Sequence, residues 1–523
     1  MPAYLKALGF ILVLAVLVFV FAKGPMCAGA MQPRDFARRR NLWFALTLVA
    51  FLAHNFWLYI VVISGLLYVA QRWEGTGERR LALFFFLALA LPAISGQISG
   101  LGVVNALFEI HYVRVLEIVV LFPAFLYLRK QPGTLPFGRT LPDKLIGAYL
   151  VLDLLLMFEH RTFTSILREG LFYAFIDVFL PYYVASRALT RLEHFREALA
   201  SFAIAAMVLS AILFLELLGR WLLYSSLEHA LGVQWGWSPY VIRSGLVRAS
   251  GPMGHALAAG FTMSVAFACY LYLRKVLPPR GWLLGLGLIL LGLLGPVSRG
   301  PWVGAVLILF VFIATGPAPA VAFGRLAALG VLGLPVLFTP LGSVIIDHLP
   351  FIGSVDESNV TGRQALAAAA YKVFWEHPLL GTYDFVETPV MQALKGGDGQ
   401  VDLVNTYVVV ALGRGAIGLV LFAGFFLATI AATYKAMRRV TDRSREEHVL
   451  GQALFAALLG ILLMIATMSP VLLIPTIYWA VAGLAVAYVR MVTAAAPASA
   501  ASRVAPTRPA AARAGWRDAR AGS

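Results

Sequence analysis

Apolar stretches of membrane-span character recur along almost the whole chain. They lie near residues 8–22, 42–53, 55–70, 81–95, 113–128, 145–158, 170–185, 198–218, 255–273, 282–297, 302–316, 326–342, 405–434, 449–468 and 471–489. A membrane-spanning helix needs about 20 apolar residues, so the shorter stretches require polar ends, tilt or a re-entrant path. The expected fold is all-α, a polytopic transmembrane helical bundle of about 14 spans within a range of about 12–15. The run 42–70 is too long for one span and is broken at His54-Asn55, which reads as a tight helical hairpin, with a single tilted helix as the alternative.

Composition agrees. Hydrophobic residues make up 60% of the 523 and charged ones 13%, against about 45–50% and about 25% in soluble domains. An ordinary soluble enzyme, a disordered chain and a nucleic-acid-binding domain are excluded on that ground. The formal charge of +16 therefore reports basic cytoplasmic loops. Arg34–Arg40, Arg72–Arg80, Arg129–Lys144, Arg187–Arg196, Arg274–Arg280, Arg325 and Lys435–Arg445 are those loops. The C-terminus is then cytoplasmic.

The division that follows is an N-terminal hydrophobic segment with a basic linker (1–40), a transmembrane bundle (41–342), a large outer loop (343–404), C-terminal transmembrane helices (405–490) and a disordered basic tail (491–523). Ala28-Gly29-Ala30 has the small-residue pattern of a cleavage site. Cleavage would leave the following Arg cluster outside, so an uncleaved extra helix is the preferred reading. Cys27 and Cys269 show no metal-ligand or disulfide spacing, and no metal is expected.

The outer loop at 343–404 carries eight acidic and three basic residues in an otherwise basic protein. It has a helix-like stretch, Arg363–Trp375. A loop of this length with its own structure is usually functional. Glu117, Asp153, Asp177 and Glu216 lie in or near apolar segments. Buried hydrogen bonding between helices is the plainer reading for them, and a proton relay the sharper one.

Two arginines stand at the outer ends of helices. Arg248 precedes Gly251-Pro252-Met253-Gly254-His255, and Arg299 lies in Ser298-Arg299-Gly300-Pro301. Glycines let backbone N–H groups approach a ligand, and a helix start favours an anion. An arginine fork matches phosphate oxygens in pairs. The two turns together read as a diphosphate clamp. A third constellation is Asp402, Asn405 and Tyr407, followed by Gly415 and Gly418. Asn405 reads either as a helix cap or as part of a site in which Asp402 accepts a proton from a sugar hydroxyl.

Four motifs occur in order: Arg248 with its Gly-Pro; Ser298-Arg299-Gly300; Arg363, Tyr371 and His377-Pro378-Leu379-Leu380-Gly381; and Asn405-Thr406-Tyr407 with Gly415-Ala416-Ile417-Gly418. Together they resemble the O-antigen ligase and polysaccharide polymerase superfamily over about residues 40–490. The resemblance implies a metal-independent, GT-C-like glycosyltransferase of the bacterial inner membrane, with no cofactor and a periplasmic active site. It implies a donor glycan on undecaprenyl diphosphate, and a glycan or lipid as acceptor. Arg248 and Arg299 would hold the diphosphate. Asp402, then Glu376 or His377, would orient or deprotonate the acceptor. Arg363, Tyr371, Asn405, Tyr407, Gly415 and Gly418 would position substrate or loop. Ligases of this family carry His-Asn where this chain has Val404-Asn405. Valine can neither act as a base nor donate a hydrogen bond, so exopolysaccharide polymerisation fits better than transfer to lipid A-core. A flippase of lipid-linked sugars and a non-catalytic assembly subunit are the other readings.

Overall fold

The structure, a computed structural model, describes residues 2–100, 106–232, 242–243, 245–337, 339, 357–395, 401 and 403–501. Its first part runs α1 (Ala3–Gly29), α2 (Pro33–Leu52), α3 (Phe56–Glu74), α4 (Gly77–Leu87), then the hairpin β1 (Ser95–Ser99) and β2 (Ala106–His111). There follow α5 (Tyr112–Leu116), α6 (Phe122–Lys130), α7 (Leu141–His160), α8 (Phe163–Ser165), α9 (Leu180–Ala188), α10 (Leu192–Gly219) and α11 (Leu227–Leu231). The rest comprises α12 (Ala256–Leu273), α13 (Pro279–Leu294), α14 (Arg299–Ala314), α15 (Pro319–Leu337), α16 (Glu357–Glu376), α17 (Pro389–Gln392), α18 (Thr406–Arg439), α19 (Glu446–Ile465) and α20 (Ile474–Ala501).

Among the described residues, seven helices are long and apolar enough to cross a membrane: α1, α3, α10, α12, α18, α19 and the Ile474–Ala494 part of α20. Pro279–Leu294, Arg299–Ala314 and Pro319–Val331 are shorter apolar helices. The chain is a mostly helical, multi-pass membrane protein. Where 42–70 reads as a hairpin, α2 and α3 are separate helices. His54 sits at the turn with a left-handed backbone, and Asn55 caps α3 by accepting from the N–H groups of Trp57 and Leu58. The stretch 81–95 is not one helix. It ends as a helix at Leu87, and β1 begins at Ser95, paired antiparallel with β2. Pro92 removes a backbone donor there, which ends helical continuity. Past 490, where a disordered tail is expected, α20 continues helical to Ala501; its Ala494–Ala496 run is a strong helix former.

Lipid tails give helices little hydrophobic reason to associate, so close packing at small residues does that work. A side chain on Gly292 would collide with Ser210, joining α13 to α10. Gly304 and Gly460 bring α14 against α19 in the same way. α10, α12 and α19 form the buried centre.

Two π-helical segments, Glu117–Leu121 and Ile166–Phe179, each run directly into a helix with proline in its first turn, Pro123 and Pro181. Proline lacks the N–H and crowds the carbonyl four residues back, and the wider π turn relieves this. The four acids in or near apolar segments all have protein partners. Asp177 pairs with Arg114 at 2.8 Å and Asp153 with Arg414 at 2.6 Å. Glu117 accepts from Thr476 at 3.0 Å, and Glu216 accepts three backbone bonds. For Asp177, Asp153 and Glu117 this is bonding between helices, and for Glu216 bonding from helix to loop, either of which meets their cost in hydrocarbon.

The basic loops gather at one end of the bundle. Fully buried Arg39 pairs with Glu74 at 2.8 Å and Glu197 at 2.5 Å and donates to Ser201. Glu446 accepts from Arg196 at 2.7 Å and from Tyr272 at 2.6 Å. Arg443 reaches the Gly316 carbonyl. The α1 N-terminus lies at the opposite end, where Tyr4 meets His54 at 3.0 Å. Cys269 is buried and Cys27 half-buried, both free.

Candidate functional site

The end of the bundle opposite the basic loops brings the separate motifs into contact. Its support is Glu216, near the end of α10 and wholly buried. One carboxylate oxygen accepts from the N–H groups of Ser250 and Gly251, at 3.0 and 2.8 Å. The other accepts from Leu223 at 2.9 Å. Gly251 has φ +53°, and a side chain there would come within 2.9 Å of Leu209. The Gly-Pro turn is thus pinned from below by α10, and Arg248 is presented from its start.

Arg248 donates from Nε to the Pro296 carbonyl at 3.1 Å and from Nη2 to Ser298 Oγ at 3.3 Å. Ala249 N–H bonds the Gly295 carbonyl at 3.0 Å. The two arginine turns therefore lie side by side. Val297 between them has φ +45°, a conformation uncommon for a β-branched residue. Arg248 is partly buried and makes no ion pair with a carboxylate among the described residues. Burial, with Arg243 nearby, pushes its guanidinium down to about 10. It remains charged at neutral pH, a cation held where desolvation is unfavourable.

Arg299, half-buried, opens α14 directly after Ser298. Gly300 lies under the α19–α20 turn, where an added side chain would come within 2.7 Å of Thr467 Oγ1. From that turn the contacts pass to α18. Thr406 Oγ donates to the Met468 carbonyl at 2.8 Å, and Ser469 Oγ to the Leu403 carbonyl at 3.1 Å. Asn405 is the α18 N-cap, accepting from Tyr407 and Val408 N–H groups at 2.9 and 3.2 Å. The cap reading of Asn405 holds. Val404 beside it is half-buried and offers no proton-transfer group.

Tyr407 turns inward and donates to the Leu462 carbonyl at 2.9 Å, away from the arginine turns. Asp402 lies outside the described residues. Glu376, His377, Arg363 and Tyr371 are all exposed on α16 and just beyond it. No hydrogen bond or ion pair links any of these four to Arg248 or Arg299 among the described residues.

The loop's His-Pro-Leu-Leu-Gly segment forms a second junction with α18. Ala416 N–H bonds the Pro378 carbonyl at 2.9 Å, Ile417 N–H bonds Leu379 at 3.2 Å, and Thr382 N–H bonds Leu412 at 2.8 Å. α18 kinks at Gly415, whose φ is +61° and ψ −168°. Gly381 has φ +71°, and a side chain on either glycine would strike the other segment's backbone. Gly418 is packed against Arg414. This junction is ten residues, or about 15 Å, along α18 from Asn405. Beside it Arg414 pairs with Asp153, and its guanidinium lies 5.4 Å from the Tyr149 ring centre and 5.9 Å from that of Tyr383. Arg161 pairs with Asp384 at 2.8 Å and lies 5.2 Å from the Tyr383 ring centre. Burial, with Asp153 close by, pushes the Tyr383 phenol up to about 12.

Sequence reasoning missed the support role of Glu216 and the Arg414–Asp153 pair. A signal existed for both, in acids within or at the end of apolar stretches, where an ionisable group needs a partner. Pairing them required the fold. Among the described residues no group of three or more His, Cys, Asp or Glu is placed to hold a metal ion. Compared with models of known families and with curated proteins, the chain finds no match in either.

Proposed function

We propose that this protein is a membrane glycosyltransferase that polymerises undecaprenyl-diphosphate-linked glycan repeats, with its active site at the periplasmic end of a bundle of about 14 spans. The single observation that carries this reading is Arg248, a partly buried cation with no carboxylate partner among the described residues, bonded to the turn from which Arg299 starts α14. Such a pair suits an anion with two charged groups in line. It would bind the donor diphosphate and stabilise the charge that develops on it as the glycosidic bond breaks. The acceptor hydroxyl attacks the anomeric carbon, its proton leaves to an acidic loop residue, and undecaprenyl diphosphate departs. Asp402 is the first candidate for that proton, ahead of Glu376 and His377.

The positive-inside rule makes the end bearing the basic loops cytoplasmic. The arginine turns are then periplasmic, in the bacterial inner membrane. Val404 in place of a histidine favours polymerisation over ligation to lipid A-core. The test is purified protein with lipid-linked repeat units. Chain elongation that disappears in Arg248→Ala and Arg299→Ala supports the reading. Unchanged lipid-linked sugar with wild-type protein would indicate a carrier and overturn it.

A further inference from the structure

A cavity of about 400 Å³ opens at the end of the bundle that carries the basic loops. It is remote from the arginine turns and unused by the proposed reaction. Its wall comes from the start of α4, the 131–134 loop, the end of α9, the start of α10 and the middle of α20. Arg187, Arg191, His194 and Arg490 line it, with Glu78 the one acid in the lining.

These cations are not equivalent. Arg187 is neutralised by buried Asp143 at 2.7 Å and serves the bundle. Arg191 is 74% exposed at the rim, where Glu193 reaches it at 3.2 Å. Arg490 is half-buried, and its side chain donates from Nη1 to the Ser186 carbonyl at 2.8 Å. No carboxylate pairs with it among the described residues. Arg80, next to the lining, lies 5.6 Å from the ring centre of the lining residue Tyr127 and donates from its side chain to the Gln71 and Pro123 carbonyls. Arg191 is also the N-cap of the 28-residue α10, and no side chain caps that helix start. One guanidinium without a carboxylate partner among the described residues, that of Arg490, and a helix start without a side-chain cap in one cavity are complementary to an anion. Basic pockets between membrane helices at this end receive lipid phosphates.

We infer that this cavity is a binding site for a phosphate-bearing anion, with Arg490 its main cation and Arg191 at its rim. The shared chemistry is a phosphate ester, from a glycerophospholipid headgroup or from a soluble phosphate. The site does not depend on the glycosyltransferase reading.

The experiment uses the full-length protein, delipidated in detergent. Native mass spectrometry and melting temperature are followed with phosphatidylglycerol, phosphatidylcholine and sn-glycerol 3-phosphate as probes. Wild-type protein should retain phosphatidylglycerol over phosphatidylcholine. Arg490→Gln should weaken that retention about tenfold, as loss of one charge-assisted contact does, and Arg191→Gln should weaken it less. If glycerol 3-phosphate leaves the lipid in place, the ligand is a lipid headgroup. If it alone raises the melting temperature, and Arg490→Gln abolishes the rise, the ligand is soluble. Equal retention of both lipids with no response to glycerol 3-phosphate overturns the site. If Arg490→Gln does not fold, Arg490→Lys and Arg191→Gln decide: wild-type affinity in both overturns it, and weakening in either supports it.

Discussion

Arg248 donates to Ser298 Oγ across 50 residues of chain, and this bond sets two arginine-bearing turns side by side. Neither turn is unusual alone. Together they place a partly buried guanidinium beside the first residue of a helix, an arrangement that favours an anion. Arg248→Ala should lower polymer formation about 10²–10³-fold, the loss typical of removing one charge-stabilising donor. Arg248→Lys should recover part of it, since one ammonium cannot reproduce the fork. Initial rates with lipid-linked donor, at matched membrane expression, measure this.

Donor binding should weaken at alkaline pH. Arg248 is pushed down to about 10 by burial and Arg243, so its charge is nearly complete up to about pH 9 and is lost as pH rises through about 10. Affinity for the diphosphate should hold from pH 7 to about 9, then fall up to tenfold per unit above about 10. Titrating undecaprenyl diphosphate binding between pH 7 and 11 tests the sign. A fall that Arg248→Lys leaves at the same midpoint would assign the titration to another group.

Glu216→Ala should act on Arg248 from a distance. It leaves the N–H groups of Leu223, Ser250 and Gly251 without their acceptor, at a cost of about 1–3 kcal/mol for each that stays buried and unpaired. The expected outcome is a lower melting temperature with a raised KM for donor, because the turn presenting Arg248 loses its anchor. A variant with full thermal stability would sink this account of Glu216.

Gly415→Ala should detach the loop from α18. The position has φ +61° and no space for a side chain against Leu379. Faster limited proteolysis near 377–384 with the bundle still folded is the expected result, and Gly381→Ala should behave alike. Gly424→Ala on the same helix, where an added side chain meets only Leu145 at 4.0 Å, should change little.

Arg414 and Asp153 should prove non-additive. Breaking a largely buried pair from one side costs about 3–5 kcal/mol because a lone charge remains, whereas replacing both with apolar residues costs far less. Arg414→Leu should therefore destabilise more than the double variant with Asp153→Leu. A thermal-denaturation cycle in detergent reads this directly.

Much of the architecture is legible along the chain because membrane helices satisfy their backbone locally and their apolar length is visible in sequence. The break at His54-Asn55, the capping by Asn405 and the helix within the acidic loop can all be read that way. The pairing of β1 with β2 is not, since the apolar run 81–95 looks like one more span and strand pairing joins segments apart in sequence. Gly96 also lies against the Phe56 ring with no space for a side chain. The candidate site divides likewise. Arg248 and Arg299 stand out from their turns and charge, but Tyr407 faces inward because the Leu462 carbonyl is within its reach. Nothing in residues 405–418 reveals that.

By itself the sequence determines that this chain is a helical, multi-pass membrane protein, and it gathers the basic loops into one class, because hydropathy and loop charge are local quantities. Only the tertiary structure decides that Glu216 holds the Arg248 turn, that Arg248 meets Ser298, and that Gly381 and Gly415 pack backbone to backbone. Those are contacts between segments tens to hundreds of residues apart. They are selected by which helices pack closely and which buried polar groups need partners, and no window of sequence contains both sides of such a choice.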